Sequence, residues 1–315
     1  MSAPAQFDGV EKATFPERPL HLAIGIFDGV HLGHRAVIAA AVQGARADGG
    51  PAAVLTFAPH PSVLLRPAQP TRLILPQSTK AQVLAGIGVD AVITQPFTAE
   101  FAGIEAREFL PWLKRSLPQL VAIYVGENWR FGRGREGDVA MLLSDGGRHG
   151  IAVFSAPRVS FDGEPISSSR IRALLEQGEV ATANRLLGHP YRADGVVRPG
   201  KKLGRTIGFP TLNLAWAPDF RPRFGVYAVE VTGAKADRPL RGVANYGVRP
   251  TVERTAEPKL EVHMLETCPY DAGDFVAVEW LHFLRPEMKF DGLGALRAQI
   301  AADREAAAAF FSRRD

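Results

Sequence analysis

The stretch GIFDGVHLGH, from Gly25 to His34, constrains the fold most, because a strand pattern ends and a helix pattern begins within it. Leu20 to Phe27 is almost continuously apolar, which predicts a strand buried on both faces of a parallel sheet. The residues that follow predict an amphipathic helix, because apolar side chains recur at helical spacing before the stop signal Gly49-Gly50: Val37, Ile38, Ala41, Val42 and Ala45.

Two histidines stand at this junction, and we expect them to meet phosphate. Free backbone N–H groups and the helix dipole favour anions at a helix start. His31 and His34 can face the same way, and Gly33 lets a ligand approach the backbone. A polar histidine without a ligand is an equally simple interpretation of either imidazole alone. A metal site built from Asp28, His31 and His34 is less favoured, since no second ligand cluster supports it.

The rest of the first half alternates strand and helix, which predicts a doubly wound α/β domain. His60 follows the second strand, at the sheet edge where ligands bind in such domains, although a polar loop histidine is an equal alternative. The predicted strands cover residues 52–57, 89–94, 120–125 and 151–154, and the predicted helices cover residues 78–86, with Ser78 as the cap, 104–117 and 140–143.

Two further segments of this half carry positive charge and hydroxyl groups. The loop GENWRFGRGREGD, residues 126–138, holds three arginines, including Arg130, and follows a strand directly. The segment ISSSRIR places serines at a helix start, where they act as caps or, together with Arg170 and Arg172, as an oxyanion clamp. Both patterns favour a phosphate-bearing substrate.

The pattern changes after Gly188. Short strands separated by glycine and proline predict a small antiparallel barrel of six strands, closed by a helix over residues 292–311. We therefore expect two domains, residues 1–187 and 188–315. The predicted strands of the second are residues 191–198, 211–216, 226–231, 241–246, 260–265 and 276–283.

The second domain has its own phosphate candidate, GKKLGRTIGFPTLNL, which lacks the order of a Walker loop. Its glycines and cations could cradle phosphates through backbone N–H groups; the residues concerned are Gly200, Lys201, Gly204 and Arg205. Thr211 and Asn213 lie two apart, so in a strand both oxygens face one side and could hold Mg²⁺. Glu261 points either to water or into the barrel mouth as a base.

Composition limits the class of protein. The chain has 315 residues, 46% of them hydrophobic and 22% charged, which is typical of a folded globular protein. No run approaches the roughly 18 apolar residues of a membrane span. One cysteine and no signal-peptide pattern favour a cytoplasmic protein. The net charge of +4 favours small anionic ligands over nucleic acid. We expect no nucleic-acid or membrane partner, and a monomer or weak homo-oligomer.

GIFDGVHLGH resembles the HxGH signature of nucleotidyltransferases, and the ordered set of motifs resembles the prokaryotic bifunctional riboflavin kinase/FMN adenylyltransferase family over nearly the whole chain. That resemblance rests on GIFDGVHLGH, TFAPHP, VGENWRFGRGREGD, ISSSRIRALLEQGEVATANRLLGHPY, GKKLGRTIGFPTLNL, GVANYGVRPTVE and LEVHMLE. It implies a nucleotidyltransferase domain followed by a kinase barrel, with ATP and Mg²⁺ used to convert riboflavin to FMN and FMN to FAD.

The resemblance also implies roles for individual residues. It implies catalytic roles for His31, His34, Arg170 and Glu261, and a metal site at Thr211 and Asn213. It implies flavin contacts from His60, Asn128, Arg130 and Arg297. Contacts with ATP or its phosphates are expected from Gly25, Phe27, Asp28, Gly33, Ser168, Ser169, Arg172, Gly200, Lys201, Gly204 and Arg205.

The chain departs from the family pattern at a few positions, and three alternative functions stay open. Asn128 and Trp129 replace a common acidic residue and Phe, and Leu212 replaces a common Ala. One alternative is an enzyme with only one of the two activities. Another is a flavin-binding regulator without turnover. An RNA-binding protein is the third, although the aromatic residues are not interleaved with the basic ones as stacking platforms require.

Overall fold

The computed structural model describes residues 3–200, 208–248 and 257–314. It divides into two compact units, Met1–Ser168 and Ser169–Asp315. This division lies at the start of the segment 168–187, whereas the sequence predicts the boundary at the end of that segment. The boundary at 187/188 stays a prediction. No helix among the described residues is long and apolar enough to span a membrane.

The first unit contains a six-stranded parallel sheet in the order β1-β4-β3-β2-β5-β6. Its central strand β2 is buried along its whole length, as its apolar run requires. The edge strand β1 was not predicted, because its mostly exposed residues AQFD have no apolar run. The strands are β1 (Ala5–Asp8), β2 (Leu20–Ile24), β3 (Ala52–Ala58), β4 (Ala91–Pro96), β5 (Leu120–Gly126) and β6 (Ala152–Ala156).

Helices connect these strands, and a short hairpin of β7 (Ser160–Phe161) and β8 (Glu164–Pro165) follows the sheet. The helix α1, which follows β2, buries the predicted apolar face, except that Val42 is only half-buried. The predicted cap at Ser78 is wrong, because its helix already begins at Gln77 with Pro76 as the cap residue. The helices are α1 (Leu32–Ala47), α2 (Pro61–Leu65), α3 (Gln77–Ala85), α4 (Ala99–Ala102), α5 (Ala106–Ser116) and α6 (Val139–Gly146).

A buried histidine ties the end of α1 to the sheet. His21, in β2, contacts the Tyr124 hydroxyl through Nδ1 at 2.9 Å and the carboxylate of Asp48 through Nε2 at 2.9 Å. Asp48 is the residue that caps the carboxyl end of α1. Gly44 has no side chain at this point, and a Cβ there would lie 2.1 Å from the Tyr124 hydroxyl. The helix is therefore fixed against β2 and β5 at the end that lies away from His31.

The second unit contains the predicted antiparallel barrel, closed in the order β10-β13-β12-β11-β14-β9. Its interior is filled by buried aromatic side chains, with ring centroids 4.5 Å apart for Tyr227 and Trp280 and 5.2 Å apart for Trp216 and Tyr246. The strands are β9 (Tyr191–Arg198), β10 (Leu212–Leu214), β11 (Gly225–Gly233), β12 (Leu240–Gly247), β13 (Lys259–Met264) and β14 (Phe275–Pro286).

The described residues of this unit include three helices: α7 (Ser168–Gln177, whose first residue ends the first unit), α8 (Val180–Leu187) and α9 (Leu293–Ser312). Helix α9 covers an apolar patch outside the barrel with Ala307 and Phe311. Its buried Asp303 accepts two hydrogen bonds of 2.7 Å from the Arg285 guanidinium of β14. This bidentate pair fixes the helix against the strand.

Candidate active sites

A cavity of about 810 Å³ opens at the carboxyl ends of the first unit's strands. This is the edge at which open parallel sheets bind ligands. Eight residues expected from the sequence to bind substrate line it: Gly25, Phe27, His31, Gly33, His34, His60, Asn128 and Arg130. The stretches that carry them are separated by up to about a hundred residues, and the parallel sheet brings them to one place.

His31 and His34 form a stacked pair at the start of α1. Their ring centroids are 3.5 Å apart and the rings are inclined by 18°. His31 is the N-cap residue of α1, and its Nδ1 accepts a 3.3 Å hydrogen bond from the His34 backbone N–H. Gly33 makes room for the pair, because a Cβ there would lie 3.2 Å from Cε1 of His31.

Both imidazoles are neutral near pH 7. Burial lowers the pKa of His31 to about 4. Burial, followed by the charges of His31 and Lys80, lowers the pKa of His34 well below its usual value. The His34 Nδ1 atom is buried and has no hydrogen-bond partner among the residues that the structure describes. Near pH 7 the pair therefore interacts with a ligand through hydrogen bonds and not through positive charge.

The turn between β2 and α1 has a left-handed backbone at three positions: Phe27 has φ 50°, Gly29 φ 79° and Val30 φ 45°. Glycine adopts this conformation freely, whereas a non-glycine residue held there costs on the order of 1–3 kcal/mol. Gly25 permits the fold-back, because a Cβ there would lie 2.9 Å from the Phe27 ring. Such strain is typical of a segment shaped for binding.

The side chain of Asp28 points beneath this turn and does not line the cavity. Its side chain is 4% exposed, and Oδ1 accepts a 2.8 Å hydrogen bond from the Ile74 backbone N–H. The Ser168 hydroxyl donates to the Asp28 carbonyl at 2.9 Å. These contacts give both residues a structural role in holding the turn, in addition to the phosphate contact that the sequence predicts for them.

Lys80 is a residue at this site that the sequence did not predict. It is 4% exposed, and its Nζ donates to the Thr56 hydroxyl at 3.0 Å and to the Ile26 carbonyl at 3.3 Å. Burial lowers its pKa to about 8, against the opposing attraction of Asp28. A lone lysine in a short helix resembles any surface lysine, so nothing in its sequence context marks it as buried.

Aromatic side chains form one wall of the cavity, and sequence reasoning singled out only Trp129 among them. Trp129 stacks on Phe131 with ring centroids 4.9 Å apart and an inclination of 16°. Phe109 packs against both rings. The other cavity-lining members are Phe57, Phe97 and Phe101. An aromatic wall of this kind suits a planar aromatic ligand.

Arginines supply the positive charge of the cavity lining, which includes Arg66, Arg130, Arg135 and Arg158. Arg130 pairs with Asp138 at 3.5 Å and Arg158 with Glu127 at 3.1 Å. Glu127 also accepts a 3.4 Å hydrogen bond from the side chain of Asn128. The cavity thus combines an apolar wall with groups that bind phosphate.

His60 and the serine-arginine segment each lie at the start of a helix. His60 is the N-cap of α2, where its Nδ1 accepts a 3.1 Å hydrogen bond from the Ser62 backbone N–H. Ser168 begins α7, and the next residues of its first turns, Ser169, Arg170 and Arg172, belong to the second unit. Their contacts with phosphate stay predictions.

A second candidate site lies on the barrel. Asn213 in β10 stands directly opposite Glu261 in β13, and Asn245 in β12 stands opposite Glu261 on its other side. Leu260 and Val262 are buried, whereas Glu261 is half-buried on the other face of the strand. Gly200 approaches the same point, because a Cβ there would lie 2.2 Å from the Asn213 side chain. A carboxylate and two amides therefore form one row across three strands.

The remaining predicted residues of this unit are less tightly placed. Thr211 directly precedes β10 and is half-buried. Arg297 is exposed on α9. Lys201, Gly204 and Arg205 lie outside the described residues.

Two family models match the chain, one in each half. The FAD synthetase model matches residues 15–170 and the riboflavin kinase model matches residues 187–311. A solved structure described as "Macrolide-efflux Protein" from Streptococcus pneumoniae aligns with a TM-score of 0.86 and 29% identity, over 98% of this chain and 99% of that chain.

Two relatives match over almost their entire length, and both are named "Bifunctional riboflavin kinase/FMN adenylyltransferase". The Escherichia coli K12 protein is 39% identical over 300 residues, which cover 94% of each chain. The Bacillus subtilis protein is 36% identical over 298 residues, which cover 92% of each chain. With both halves matched in order, the chain belongs to the bifunctional riboflavin kinase/FMN adenylyltransferase family, and it converts riboflavin to FMN and FMN to FAD with ATP as the second substrate.

Proposed function

We propose that the cavity of the first unit is where FMN is adenylylated, with His31 and His34 in contact with the ATP phosphates. The observation that carries this proposal is the stacked neutral pair of imidazoles at the start of α1, which lines a cavity with an aromatic wall. The isoalloxazine ring of FMN is flat and aromatic, and it packs against the wall that includes Trp129. His60, Asn128 and Arg130 contact the flavin from the cavity lining.

The chemistry at this site needs charge stabilisation and no base. An oxygen of the FMN phosphate, already ionised, bonds to the α-phosphorus of ATP, and the bond from that phosphorus to the bridging oxygen of pyrophosphate breaks. Because Nδ1 of His31 accepts a backbone N–H, its proton is on Nε2, which donates to the ligand. Ser168, Ser169, Arg170 and Arg172 bind the departing pyrophosphate, and Gly25, Phe27, Asp28 and Gly33 shape the ATP seat.

Riboflavin is phosphorylated on the barrel, at the row that contains Glu261 and Asn213. The ribityl hydroxyl oxygen bonds to the γ-phosphorus of ATP, the bond from that phosphorus to the β–γ bridging oxygen breaks, and ADP leaves with that oxygen. Glu261 accepts the hydroxyl proton, because a neutral alcohol is a poor nucleophile. The oxygens of Thr211 and Asn213 suit Mg²⁺, which prefers hard oxygen ligands and, when bound there, neutralises phosphate charge. Gly200, which packs against Asn213, together with Lys201, Gly204 and Arg205, binds the phosphates.

Two variants test whether the reactions use separate residues. Glu261→Gln should lower FMN formation from riboflavin by about a hundredfold or more, since it removes the general base, and leave FMN-to-FAD conversion intact. The double change His31→Ala and His34→Ala should do the reverse. Chromatography of the products from riboflavin or FMN with ATP and Mg²⁺ measures both. Loss of both activities from either folded variant would contradict the assignment.

We also propose the location, partners and oligomeric state of the protein, and these proposals rest on its composition. A single cysteine suits a reducing cytoplasm, and the mild net charge of +4 suits small anionic substrates without a nucleic-acid partner. A monomer or weak homo-oligomer with domains 1–187 and 188–315 completes the proposal. Light scattering during size-exclusion chromatography tests the oligomeric state.

A further inference from the structure

Among the described residues, side chains and backbone groups of other segments hold the strained turn below His31, and three of these attachments matter here. Two of them hold Asp28: Ile74 donates to its carboxylate and Ser168 to its carbonyl. The third holds the residue before Phe27. The Ile26 carbonyl accepts a 2.9 Å hydrogen bond from the Thr56 hydroxyl and a 3.3 Å hydrogen bond from the Lys80 ammonium.

The third attachment is unusual because it uses a buried charge. Thr56 is fully buried and Lys80 is 4% exposed. An ammonium group in such a place is costly to desolvate, and an apolar side chain of the same length would fill the space at lower cost. Lys80 reaches from α3 to Thr56, near the end of β3, and to Ile26, two residues after β2 ends, so it joins these two segments beneath the turn.

We propose that Lys80 is a positioning residue for adenylyl transfer, which holds Ile26 and Thr56 together and so keeps the turn Phe27–Val30 in its left-handed form. This form sets where His31 begins α1, and therefore where both imidazoles meet the ATP phosphates. The inference rests on the proposed role of His31 and His34. It assigns to Lys80 an effect on the reaction that acts through the turn.

The test compares Lys80→Met with Thr56→Val in the full-length chain. Methionine is unbranched and one atom shorter than lysine, so it fills most of the space and loses the donor; valine keeps the shape of threonine and loses the hydroxyl. We expect Lys80→Met to lower kcat for FMN-to-FAD conversion by about tenfold or more, since small misplacements of reacting groups cost that much. FMN formation on the barrel of the same molecules should be unchanged. Thr56→Val should lower the same kcat, and Thr56→Ser, which keeps the hydroxyl, should restore it.

The measurement is made at a temperature where circular dichroism shows each variant to be folded, so that a purely structural role would leave kcat unchanged. If Lys80→Met fails to fold, the pair Thr56→Val and Thr56→Ser decides. A wild-type kcat in folded Lys80→Met, or in Thr56→Val where the lysine variant does not fold, overturns the inference.

The histidine variants separate this failure from that of the proposed function. If the double alanine variant still forms FAD, the proposed function is wrong and the inference falls with it. If that variant loses FAD formation while Lys80→Met keeps it, only the inference is wrong.

Discussion

Gly33 fits the first site because of what its missing side chain would touch. A Cβ at residue 33 would lie 3.2 Å from Cε1 and 3.3 Å from Nδ1 of His31. We expect Gly33→Ala to tilt the His31 ring off His34 and to lower FAD formation by about ten- to a hundredfold. Gly147→Ala is the matched control, since its Cβ would meet nothing within 4 Å and its backbone is helical. Steady-state assays with FMN and ATP compare the two, and equal rates would contradict the prediction.

The titration of His31 links the site to stability. The unfolded chain binds a proton at this residue near pH 6.5, whereas burial lowers the folded pKa to about 4. Between these values the unfolded state binds more protons than the folded state, so the free energy of unfolding falls as pH drops from about 6.5 to 4. Above that range His31 is neutral in both states, and its protonation costs no stability. Urea unfolding at pH 7.5 and 5.0 checks this.

His31→Asn is the reference for that experiment, because asparagine also caps helices and does not titrate. The wild type should lose more stability than the variant between the two pH values. A proton NMR titration of the imidazole Cε1–H gives the pKa directly, and a midpoint near 6.5 would refute the shift.

At the scale of elements, the pairing of β10 with β13 places an amide opposite a carboxylate. Gly200 contacts that amide, and a Cβ there would lie 2.2 Å from Nδ2 of Asn213. We expect Gly200→Ala to displace the Asn213 side chain and to lower FMN formation from riboflavin by roughly tenfold or more, with FAD formation from FMN unchanged. Gly294→Ala on α9 is the control, because open space surrounds that position. A normal kinase rate in the Gly200 variant would argue against a role for this contact.

Most elements could be predicted because their patterns reflect burial. The continuous apolar run of β2 and the alternation in β13 follow directly from which faces are covered. The strand β1 lacked such a pattern because its place at the sheet edge leaves it mostly exposed. The attachment at Lys80 could not be predicted, since it depends on three segments that only the fold brings together.

The candidate sites followed a similar rule. His31 and His34 could be predicted because their spacing and the helix start lie within ten residues. The aromatic wall was missed because its members come from five separate segments, and each aromatic residue alone looks like ordinary core. Glu261 and Asn213 were predicted separately, but only the strand register showed that they face each other.

For the whole molecule, the two candidate sites share no predicted residue, so we expect that FMN made in one molecule can be used by another. We expect a mixture of the Glu261→Gln chain with the His31→Ala/His34→Ala chain to form FAD from riboflavin, although neither variant does so alone. FMN should accumulate first and then decline in a chromatographic time course. A mixture that stops at FMN would indicate that the product passes only within one chain.

The attachment of α1 at both ends has a mechanical consequence. The helix has 16 residues and so spans about 24 Å; His31 caps its start, and Asp48, which His21 holds, caps its end. A helix of this length moves as a rigid rod, so a displacement at Asp48 is carried to the imidazole pair. Substitutions around His21, Gly44 and Tyr124, far from any substrate, should therefore alter catalysis through the angle of that rod.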